Sequence, residues 1–265
     1  MNYERIELKK QNNIAVLTLN HPEVLNAISA KMLDELKDVM VRINHPAEGI
    51  RCLLITGAGR GFCAGANLTD PEKNVKSNGG RRIGRPLDET YNPLFLQLRD
   101  LRIPLITVVN GPAAGIGMSL ALMGDIILAA RSAFFLQAFS RIGLIPDGGS
   151  TFILPRLIGM ARAKELSFLA ERLPAEKALE WGLINRVCDD ESLMPEAMKL
   201  AEKLASGPTV ALNLIRKAYW HSYENSYEQQ LHLESVLQSQ AGQTEDASEG
   251  AEAFRQKRSP QFKGK

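Results

Sequence analysis

Apolar positions along the first third of the chain follow strand and helix periods in turn. The run at 14–19, IAVLTL, is rich in strand formers and ends at the turn-forming pair His21–Pro22. A helix is predicted next, with Ser29 as its N-cap. Its apolar positions share one helical face: Met32, Leu33, Leu36, Val39, Met40 and Ile43. The run at 51–57, RCLLITG, predicts a strand in a sheet that is buried on both faces.

The same alternation continues further along the chain. Apolar runs at 104–110 and 126–130 predict two strands, and a glycine turn and an apolar helix ending near Met123 lie between them. From about residue 148 helical patterns dominate, with Pro174 at an early helical position, Gly182 at a helix end, and two further helices at 191–206 and 208–240. Because alternating strands and helices are typical of parallel βαβ units, we predict an α/β fold followed by a helical C-terminal region.

One segment departs from this pattern. Residues 70–92 are polar and rich in Gly, Asn, Lys and Arg. This composition is typical of a solvated surface loop, and a mobile lid beside a ligand site is the alternative. Both interpretations stay open at this point.

Composition narrows the classes of function. The 265 residues contain 32 Lys and Arg and 30 Asp and Glu, and a net charge of +2 does not favour nucleic acid or a membrane surface as partner. The longest apolar stretch, 118–130, is interrupted by Asp125 and is shorter than the ~20 residues of a membrane span. The N-terminus lacks a signal-peptide pattern, and the three scattered cysteines fit free thiols, so we expect a cytoplasmic protein. The four histidines lack zinc-ligand spacing, so we expect no metal site.

Two glycine-rich turns carry the clearest chemical signal. They are GRGFCAGANL at 59–68 and NGPAAGIGM at 110–118, and each follows a predicted buried strand. Glycine lets backbone N–H groups face a ligand, and a helix N-terminus adds positive potential at the same point. Two such turns facing each other would form an oxyanion hole, although tight strand-to-helix turns explain the same glycines. Neither turn has the spacing of a dinucleotide or P-loop fingerprint.

Three segments in this order, FCAGANL, NGPAAGIGMSLALMGDI and IGLIPDGG, resemble the enoyl-CoA hydratase/isomerase (crotonase) superfamily. The likeness covers essentially the whole chain. Within the superfamily, AFSRIGLIPDGGSTFILPRLIG, EWGLINRV and KRSPQFKGK are most similar to the bacterial 1,2-epoxyphenylacetyl-CoA isomerases of phenylacetate degradation. The resemblance implies a ββα spiral core over residues 1–200 for acyl-CoA binding and catalysis, and a helical trimerisation region over 201–265. It also implies a homotrimer or a dimer of trimers, and no cofactor, since CoA is part of the substrate.

The resemblance also implies roles for individual residues. It places two oxyanion donors, acting through backbone N–H groups, at Ala66 and Ile116. Contacts to the substrate or its CoA are implied within the two turns, in the HPEVLN loop at 21–26 and in the C-terminal tail: Ala64, Gly65, Ala66, Asn67, Leu68, Gly115, Ile116, Leu25, Lys257 and Phe262. The basic tail has a second interpretation, a frayed end that contacts nothing.

The carboxylates discriminate between reactions. Hydratases of the superfamily place two glutamates where this chain has Ser119 and Phe139, so efficient hydration is not expected. Between residues 101 and 165 the acids are Asp125, Asp147 and Glu165. Asp125 is interpreted as a structural hydrogen-bonding residue, and Glu165 as part of a solvated helix face.

Asp147 is the candidate proton carrier. It lies in IPDGG at the start of a predicted helix, where a simple N-cap is the alternative, and isomerases of the superfamily carry their single catalytic acid at this position. One carboxylate can take a proton from carbon and return it, provided that N–H donors stabilise the enolate oxygen. Phe139, Ile142 and Ile145 are expected to desolvate the Asp147 carboxylate.

The predicted function is an acyl-CoA isomerase that moves a proton next to the thioester. It would convert 1,2-epoxyphenylacetyl-CoA to oxepin-CoA, or 3-enoyl-CoA to 2-enoyl-CoA. A hydratase is an alternative that lacks its two acids here. A hydrolase or dehalogenase would use Asp147 as nucleophile, but no histidine lies between residues 46 and 220 to activate water. A non-catalytic acyl-CoA-binding protein is the alternative from another class.

Overall fold

The computed structural model describes residues 3–68 and 87–265. The strands are β1 (Ile6–Gln11), β2 (Ile14–Leu19), β3 (Cys52–Gly57), β4 (Leu105–Val109), β5 (Ala113–Ala114), β6 (Ile126–Ala130), β7 (Phe134–Leu136), β8 (Leu173–Pro174) and β9 (Arg186–Cys188). The helices are α1 (Ala30–Ile43), α2 (Asn92–Arg99), α3 (Ile116–Ala121), α4 (Ser150–Leu169), α5 (Ala175–Glu180), α6 (Leu193–Ala205), α7 (Thr209–Ser222), α8 (Tyr227–Gly242) and α9 (Glu245–Arg255). Within these ranges, no helix is both long and apolar enough to cross a bilayer.

The larger sheet has the strand order β1-β2-β3-β4-β6-β9 over the described part of the chain. Its pairs are parallel except β1–β2, which is an antiparallel hairpin. Strands β3 and β4 are buried almost throughout, as continuous apolar runs predict for a sheet covered on both faces. The strands predicted from the sequence at 14–19, 51–57, 104–110 and 126–130 are therefore confirmed.

A smaller sheet, β5-β7-β8, lies beside the larger one. Two successive units, β4–β5–α3 and β6–β7–α4, each place the first strand in the larger sheet and the second in the smaller sheet. This repeated arrangement confirms the predicted ββα spiral. It also brings the turn between β4 and α3 against the smaller sheet, because β5 pairs with β7.

Helix α1 begins as predicted. The Ser29 hydroxyl accepts a hydrogen bond from the Met32 N–H at 3.1 Å, which satisfies one of the free donors of the first turn. The predicted apolar face of α1 is buried in the core.

The C-terminal region differs from the sequence prediction in one helix. The helix predicted over 208–240 is wrong: the chain forms α7 and α8, separated by a turn at 223–226. Ser226 and Gln229 make a capping box that starts α8 anew. Helix α6 spans the predicted boundary at residue 200 and packs on the sheet through Ala197 and Ala201, which are fully buried. The division into two parts at residue 200 stays a prediction.

Arg216 joins α7 to the sheet core. Its guanidinium binds both carboxylate oxygens of Asp125, at 2.7 and 2.8 Å. It also donates to the carbonyl oxygens of Leu98, Arg99 and Leu101 at the end of α2. Asp125 is therefore a structural ion-pair residue, as the sequence indicated.

The C-terminal tail is docked on α9. The Asp246 carboxylate accepts hydrogen bonds from the backbone N–H groups of Lys263 and Gly264, at 2.6 and 2.8 Å. The Glu249 carboxylate binds the Arg258 guanidinium with both oxygens, at 2.6 and 2.9 Å. The interpretation of the tail as a frayed end is therefore wrong, because two acids of α9 hold its backbone and its first arginine.

Candidate active site

The first glycine turn is anchored by the loop at 21–26. The buried Asn26 amide donates to the carbonyl oxygens of Ala58 and Gly61, at 2.9 and 2.8 Å. The carbonyl oxygen of Leu25 accepts a hydrogen bond from the Ala64 N–H at 2.9 Å. The loop predicted to contact CoA and the first turn are thus parts of one rigid unit.

The two glycine turns lie against each other. The Ala114 N–H donates to the carbonyl oxygen of Cys63 at 2.9 Å. Gly65 and Gly115 both have positive φ, 110° and 54°, which side chains rarely adopt. A Cβ built on Gly115 would lie 4.0 Å from the Cα of Gly65. The two turns therefore face each other, which is the arrangement that an oxyanion hole requires.

The N–H of Ala66 is directed away from its β-bridge partner. The Gly65 carbonyl accepts from the Ile28 N–H at 2.8 Å, and the Asn67 N–H donates to the Ile28 carbonyl at 2.9 Å. Since backbone polar groups alternate in direction along extended chain, the intervening Ala66 N–H points to the opposite side. Ile116 is the first residue of α3, where N–H groups have no partner inside the helix. Among the described residues, no acceptor takes either of these two N–H groups. Both can therefore donate to a ligand oxygen.

Phe139 forms an apolar wall beside the second turn. Its ring would lie 3.8 Å from a Cβ on Gly115, and the side chain is only 8% exposed. An aromatic ring at this point cannot carry a proton, so it closes the site on one side without adding chemistry.

Asp147 lies in the turn that precedes α4. The N-cap of α4 is Gly149, with φ 81°, and no side chain caps the helix, so the interpretation of Asp147 as an N-cap is wrong. A Cβ on Gly148 would lie 2.7 Å from the Phe95 ring and 2.8 Å from the Cβ of Ser119. The turn is thus pressed against α2 and α3, and Asp147, which is half-buried, is held close to both.

The expected desolvation of Asp147 by two isoleucines is wrong. In the single chain Ile142 is 56% exposed and Ile145 is 80% exposed. Both lie in or just after a short 3-10 helix at 138–142, ahead of the start of α4, and their side chains are directed outward. Phe139 is the one of the three predicted apolar neighbours that is buried.

A buried polar cluster lies beneath the Asp147 turn. The Ser119 hydroxyl donates to the backbone carbonyl of Asp147 at 2.9 Å and lies 2.7 Å from the Ser150 hydroxyl. The Gln137 amide donates to the Ser150 hydroxyl at 3.2 Å. All three side chains are 0% exposed. From the sequence, Ser119 was expected only as a position without the hydratase glutamate, and no sequence pattern pointed to Ser150 or Gln137.

A cavity of about 850 Å³ opens beside the same turn. Gly148 and Gly149 form part of its wall, and Phe95, Phe152 and Trp220 contribute aromatic surface from α2, α4 and α7. Charged side chains such as Arg99, Asp100 and Lys217 also line this cavity. Its described lining residues do not include Ala66, Ile116 or Asp147, so the cavity adjoins the Asp147 turn through the two glycines alone.

The two predicted tail residues lie elsewhere. Lys257 is exposed at the start of the docked tail. Phe262 contacts α9, where its ring lies 3.4 Å from a Cβ built on Gly250, and its carbonyl accepts from Arg51 at 3.2 Å. The structure thus groups Leu25, the residues 64–68, Gly115 and Ile116, whereas Lys257 and Phe262 belong to the tail.

Two further sequence predictions concern neighbouring segments. The polar segment predicted at 70–92 falls outside the described residues up to 86, and residues 87–92 are helical and lead into α2, so the loop prediction is wrong for those six. Glu165 is exposed on α4, as expected for a solvated helix face.

Cys63 is not a candidate nucleophile despite its place in the first turn. Complete burial raises the pKa of its thiol to about 12. A thiol in that state carries almost no thiolate at neutral pH, which makes Cys63 a poor nucleophile.

Comparison with known proteins finds relatives that cover nearly the whole chain. The sequence profile of the family described as enoyl-CoA hydratase/isomerase matches residues 9–265. The 1,2-epoxyphenylacetyl-CoA isomerase of Escherichia coli K12 is 48% identical over 96% of this chain and 97% of its own length. A probable enoyl-CoA hydratase of Rhodobacter capsulatus is 40% identical over 100% of both chains. The crystal structure of an enoyl-CoA hydratase from Bacillus anthracis superposes with a TM-score of 0.91 at 31% identity, covering 99% of this chain and 100% of that one.

Proposed function

Because this chain belongs to the enoyl-CoA hydratase/isomerase family, whose members bind acyl-CoA, we propose that it is an acyl-CoA isomerase with Asp147 as its proton carrier. The observation that carries the proposal is the pair of facing glycine turns, with the Asp147 turn hydrogen-bonded to the helix that begins at the second of them. The proposed reactions are 1,2-epoxyphenylacetyl-CoA to oxepin-CoA and 3-enoyl-CoA to 2-enoyl-CoA.

The thioester carbonyl is proposed to bind between the N–H groups of Ala66 and Ile116. These donors strengthen their hydrogen bonds as the carbonyl oxygen becomes an enolate oxygen, and one such donor is typically worth ~3–4 kcal/mol in the transition state. The Cβ-free Gly65 and Gly115 let the carbonyl approach the backbone closely.

Asp147 is proposed to take the proton from the carbon next to the thioester. In the 3-enoyl substrate the C2–H bond breaks, its electron pair forms the C1–C2 double bond of the dienolate as the carbonyl π pair moves onto the oxygen, and the proton moves to the Asp147 carboxylate. The same carboxylic acid then protonates C4 as the carbonyl re-forms, which gives the 2-enoyl thioester. No atom is gained or lost, so one acid–base group suffices.

Hydration is the competing reaction, because a relative 40% identical over its full length is named a probable hydratase. In this chain the two positions implied for hydratase glutamates hold Ser119 and Phe139. The Ser119 hydroxyl binds the Asp147 carbonyl, and Phe139 is an apolar wall, so neither activates water.

We propose no cofactor for this chemistry, since the CoA moiety arrives with the substrate. The acyl group is proposed to extend into the cavity beside Gly148, where Phe95 and Phe152 offer aromatic surface. A cytoplasmic location and contacts of Lys257 and Phe262 with CoA stay predictions.

Assembly into a homotrimer or a dimer of trimers is proposed from the resemblance. Large apolar side chains on the last three helices support it, since Tyr219, Tyr227 and Phe254 are exposed in the single chain. Light scattering of the purified protein should give three or six times the chain mass of 29.2 kDa. A stable monomer at micromolar concentration would contradict this assembly.

Product analysis tests the proposed reaction. The purified protein is incubated with 3-hexenoyl-CoA, 2-hexenoyl-CoA and 1,2-epoxyphenylacetyl-CoA, and the products are separated by chromatography with mass detection. We expect products of unchanged mass from the first or third substrate. A gain of one water on 2-hexenoyl-CoA at ordinary enzymatic rates would show a hydratase, and binding without any conversion would show a non-catalytic protein.

A further inference from the structure

A directed chain of hydrogen bonds ends at the backbone of Asp147. The Ser119 hydroxyl has one proton and two carbonyl acceptors, Asp147 at 2.9 Å and Gly115 at 3.4 Å, and the shorter contact assigns the proton to Asp147. The contact of 2.7 Å between the two serine hydroxyls then requires Ser150 to donate to Ser119. The Ser150 hydroxyl oxygen accepts a hydrogen bond from the Gln137 amide nitrogen at 3.2 Å. With that assignment the hydrogen bonds run from Gln137 to Ser150 to Ser119 to Asp147.

We propose that Ser119, Ser150 and Gln137 are positioning residues that hold Asp147 at the distance from the oxyanion donors that proton transfer requires. The inference rests on the proposed function, because it assumes that Asp147 carries the proton. The protons of the chain stay on their own atoms throughout, and none is transferred to substrate.

The Asp147 turn needs such a restraint. It is followed by two glycines with positive φ, Gly148 at 57° and Gly149 at 81°, and no side chain caps α4. Glycine has the largest backbone freedom of any residue, so local sequence alone would leave the turn with several conformations. The Ser119 hydrogen bond restricts the turn together with the Ser150 N–H, which donates to the same carbonyl at 3.1 Å, and with the close packing of Gly148 on Phe95.

Both ends of the chain are attached to the elements that form the proposed oxyanion hole. Ser119 is three residues after Ile116 in α3. One helix therefore carries both a proposed oxyanion donor and the serine that holds the Asp147 backbone. Gln137 directly follows Leu136, whose carbonyl accepts the N–H of Gly115 at 2.9 Å. The hydrogen bonds that link Gln137 to Asp147 are buried, where they are stronger than in water, and the Gln137 Oε1 is left without a partner among the described residues.

Substitutions along the chain test the inference. We expect Ser119→Ala to lower kcat about 10–100-fold with KM within about twofold, because a small displacement of a catalytic group costs that much. Ser150→Ala and Gln137→Met should have smaller effects, in that order, as each is one bond further from Asp147. Ser167→Ala is the matched control, since it removes a serine hydroxyl that donates to the Ala163 carbonyl at 2.8 Å, elsewhere on α4, and should leave kcat unchanged.

A double variant separates positioning from a merely structural role. In the Asp147→Asn background, single-turnover measurements should show no further loss on adding Ser119→Ala, since the residue acts only through Asp147. The inference is overturned if the rate losses of the two single variants multiply in the double variant. It is also overturned if Ser119→Ala alone keeps kcat within about twofold of wild type. Either outcome leaves the proposed function intact. If Asp147→Asn itself retained wild-type rates, the proposed function would fail first. A Ser119→Ala protein that does not fold is replaced by Ser150→Ala, which interrupts the same chain and carries the same expected outcomes.

Discussion

At the scale of single residues, the three acids between 101 and 165 differ in their surroundings more than in their chemistry. The Asp125 carboxylate accepts hydrogen bonds from the Arg216 guanidinium and from the Leu105 N–H at 2.8 Å, so its role is structural. Glu165 is exposed on a helix. Asp147 is half-buried in the turn that precedes α4, directly before two glycines that line a cavity.

A glycine on α3 keeps the two turns in contact, and its substitution is the first prediction. A Cβ on Gly117 would overlap the Cys63 carbonyl oxygen and lie 2.8 Å from the Cys63 Cβ. We expect Gly117→Ala to lower the free energy of unfolding by about 3 kcal/mol, since neither backbone can yield without moving a turn. Isomerase activity should fall with it, because the N–H of Ile116 is displaced. Chemical denaturation and steady-state rates measure both effects.

Gly242→Ala is the control for that prediction. Gly242 is also helical, at the end of α8, but a Cβ there meets nothing within 4 Å. We expect a neutral effect or a gain of up to ~1 kcal/mol, because alanine favours helix over glycine. Equal destabilisation by both substitutions would show that contact with Cys63 is not the cause.

At the scale of secondary-structure elements, the attachment of α7 to the core depends on one side chain, and its loss is the second prediction. Arg216 is 5% exposed, and its partner Asp125 is 27% exposed. Arg216→Met should lower the free energy of unfolding by about 3–5 kcal/mol, because it leaves a partly buried carboxylate and three carbonyl oxygens without their donor. Urea denaturation followed by fluorescence measures the change.

Arg131→Met provides the comparison. Arg131 also pairs with two carboxylates, of Glu176 and Asp189, but its side chain is 57% exposed. Exposed pairs are worth at most ~1 kcal/mol, so the two arginine variants should differ severalfold. A loss of less than ~1 kcal/mol in Arg216→Met would contradict the role assigned to this ion pair.

The third prediction concerns how the stabilisation from Glu249, which pairs with Arg258 of the C-terminal tail, depends on pH. The Arg258 guanidinium and the Gln261 N–H lower the pKa of Glu249 from 4.5 to about 2. A lowered pKa in the folded state means that the carboxylate contributes stability above pH 4.5, and that this contribution is lost as pH falls toward 2. The melting temperature of wild type should therefore exceed that of Glu249→Gln at pH 6, and the two should converge on acidification. A difference that stays constant between pH 6 and 3 would contradict the assigned pairing.

At the scale of the whole molecule, the elements that the sequence predicted are those with local signals. Continuous apolar runs identified β3, β4 and β6, and Ser29 with its apolar face identified α1, because periodicity is a property of consecutive residues. The division of 208–240 into α7 and α8 was available in the sequence, since Ser226 and Gln229 form a capping box pattern.

The site was predictable only in part. The two turns and Asp147 were identified by resemblance to a family, and the structure places them near one another. The hydrogen-bond chain from Gln137 to Asp147 was not predictable from the sequence. Ser119 and Ser150 are 31 residues apart, and their contact depends on the tertiary packing of α4 against α3. The outward direction of Ile142 and Ile145 also depends on tertiary structure, since an apolar pattern does not specify which residues face solvent.

The most direct test of the central claim is the fate of the substrate α-proton in Asp147→Asn. Because asparagine has the shape of aspartate, folding and acyl-CoA affinity should be unchanged. Asparagine cannot accept a proton from carbon, so the loss should fall on the isomerisation rate. We expect isomerisation to fall about 10⁴-fold, at the upper end of general acid–base effects, and deuterium from solvent to enter the α-position with wild type but not with the variant. Isomerisation within about tenfold of wild type, with continued α-exchange, would show that another group carries the proton.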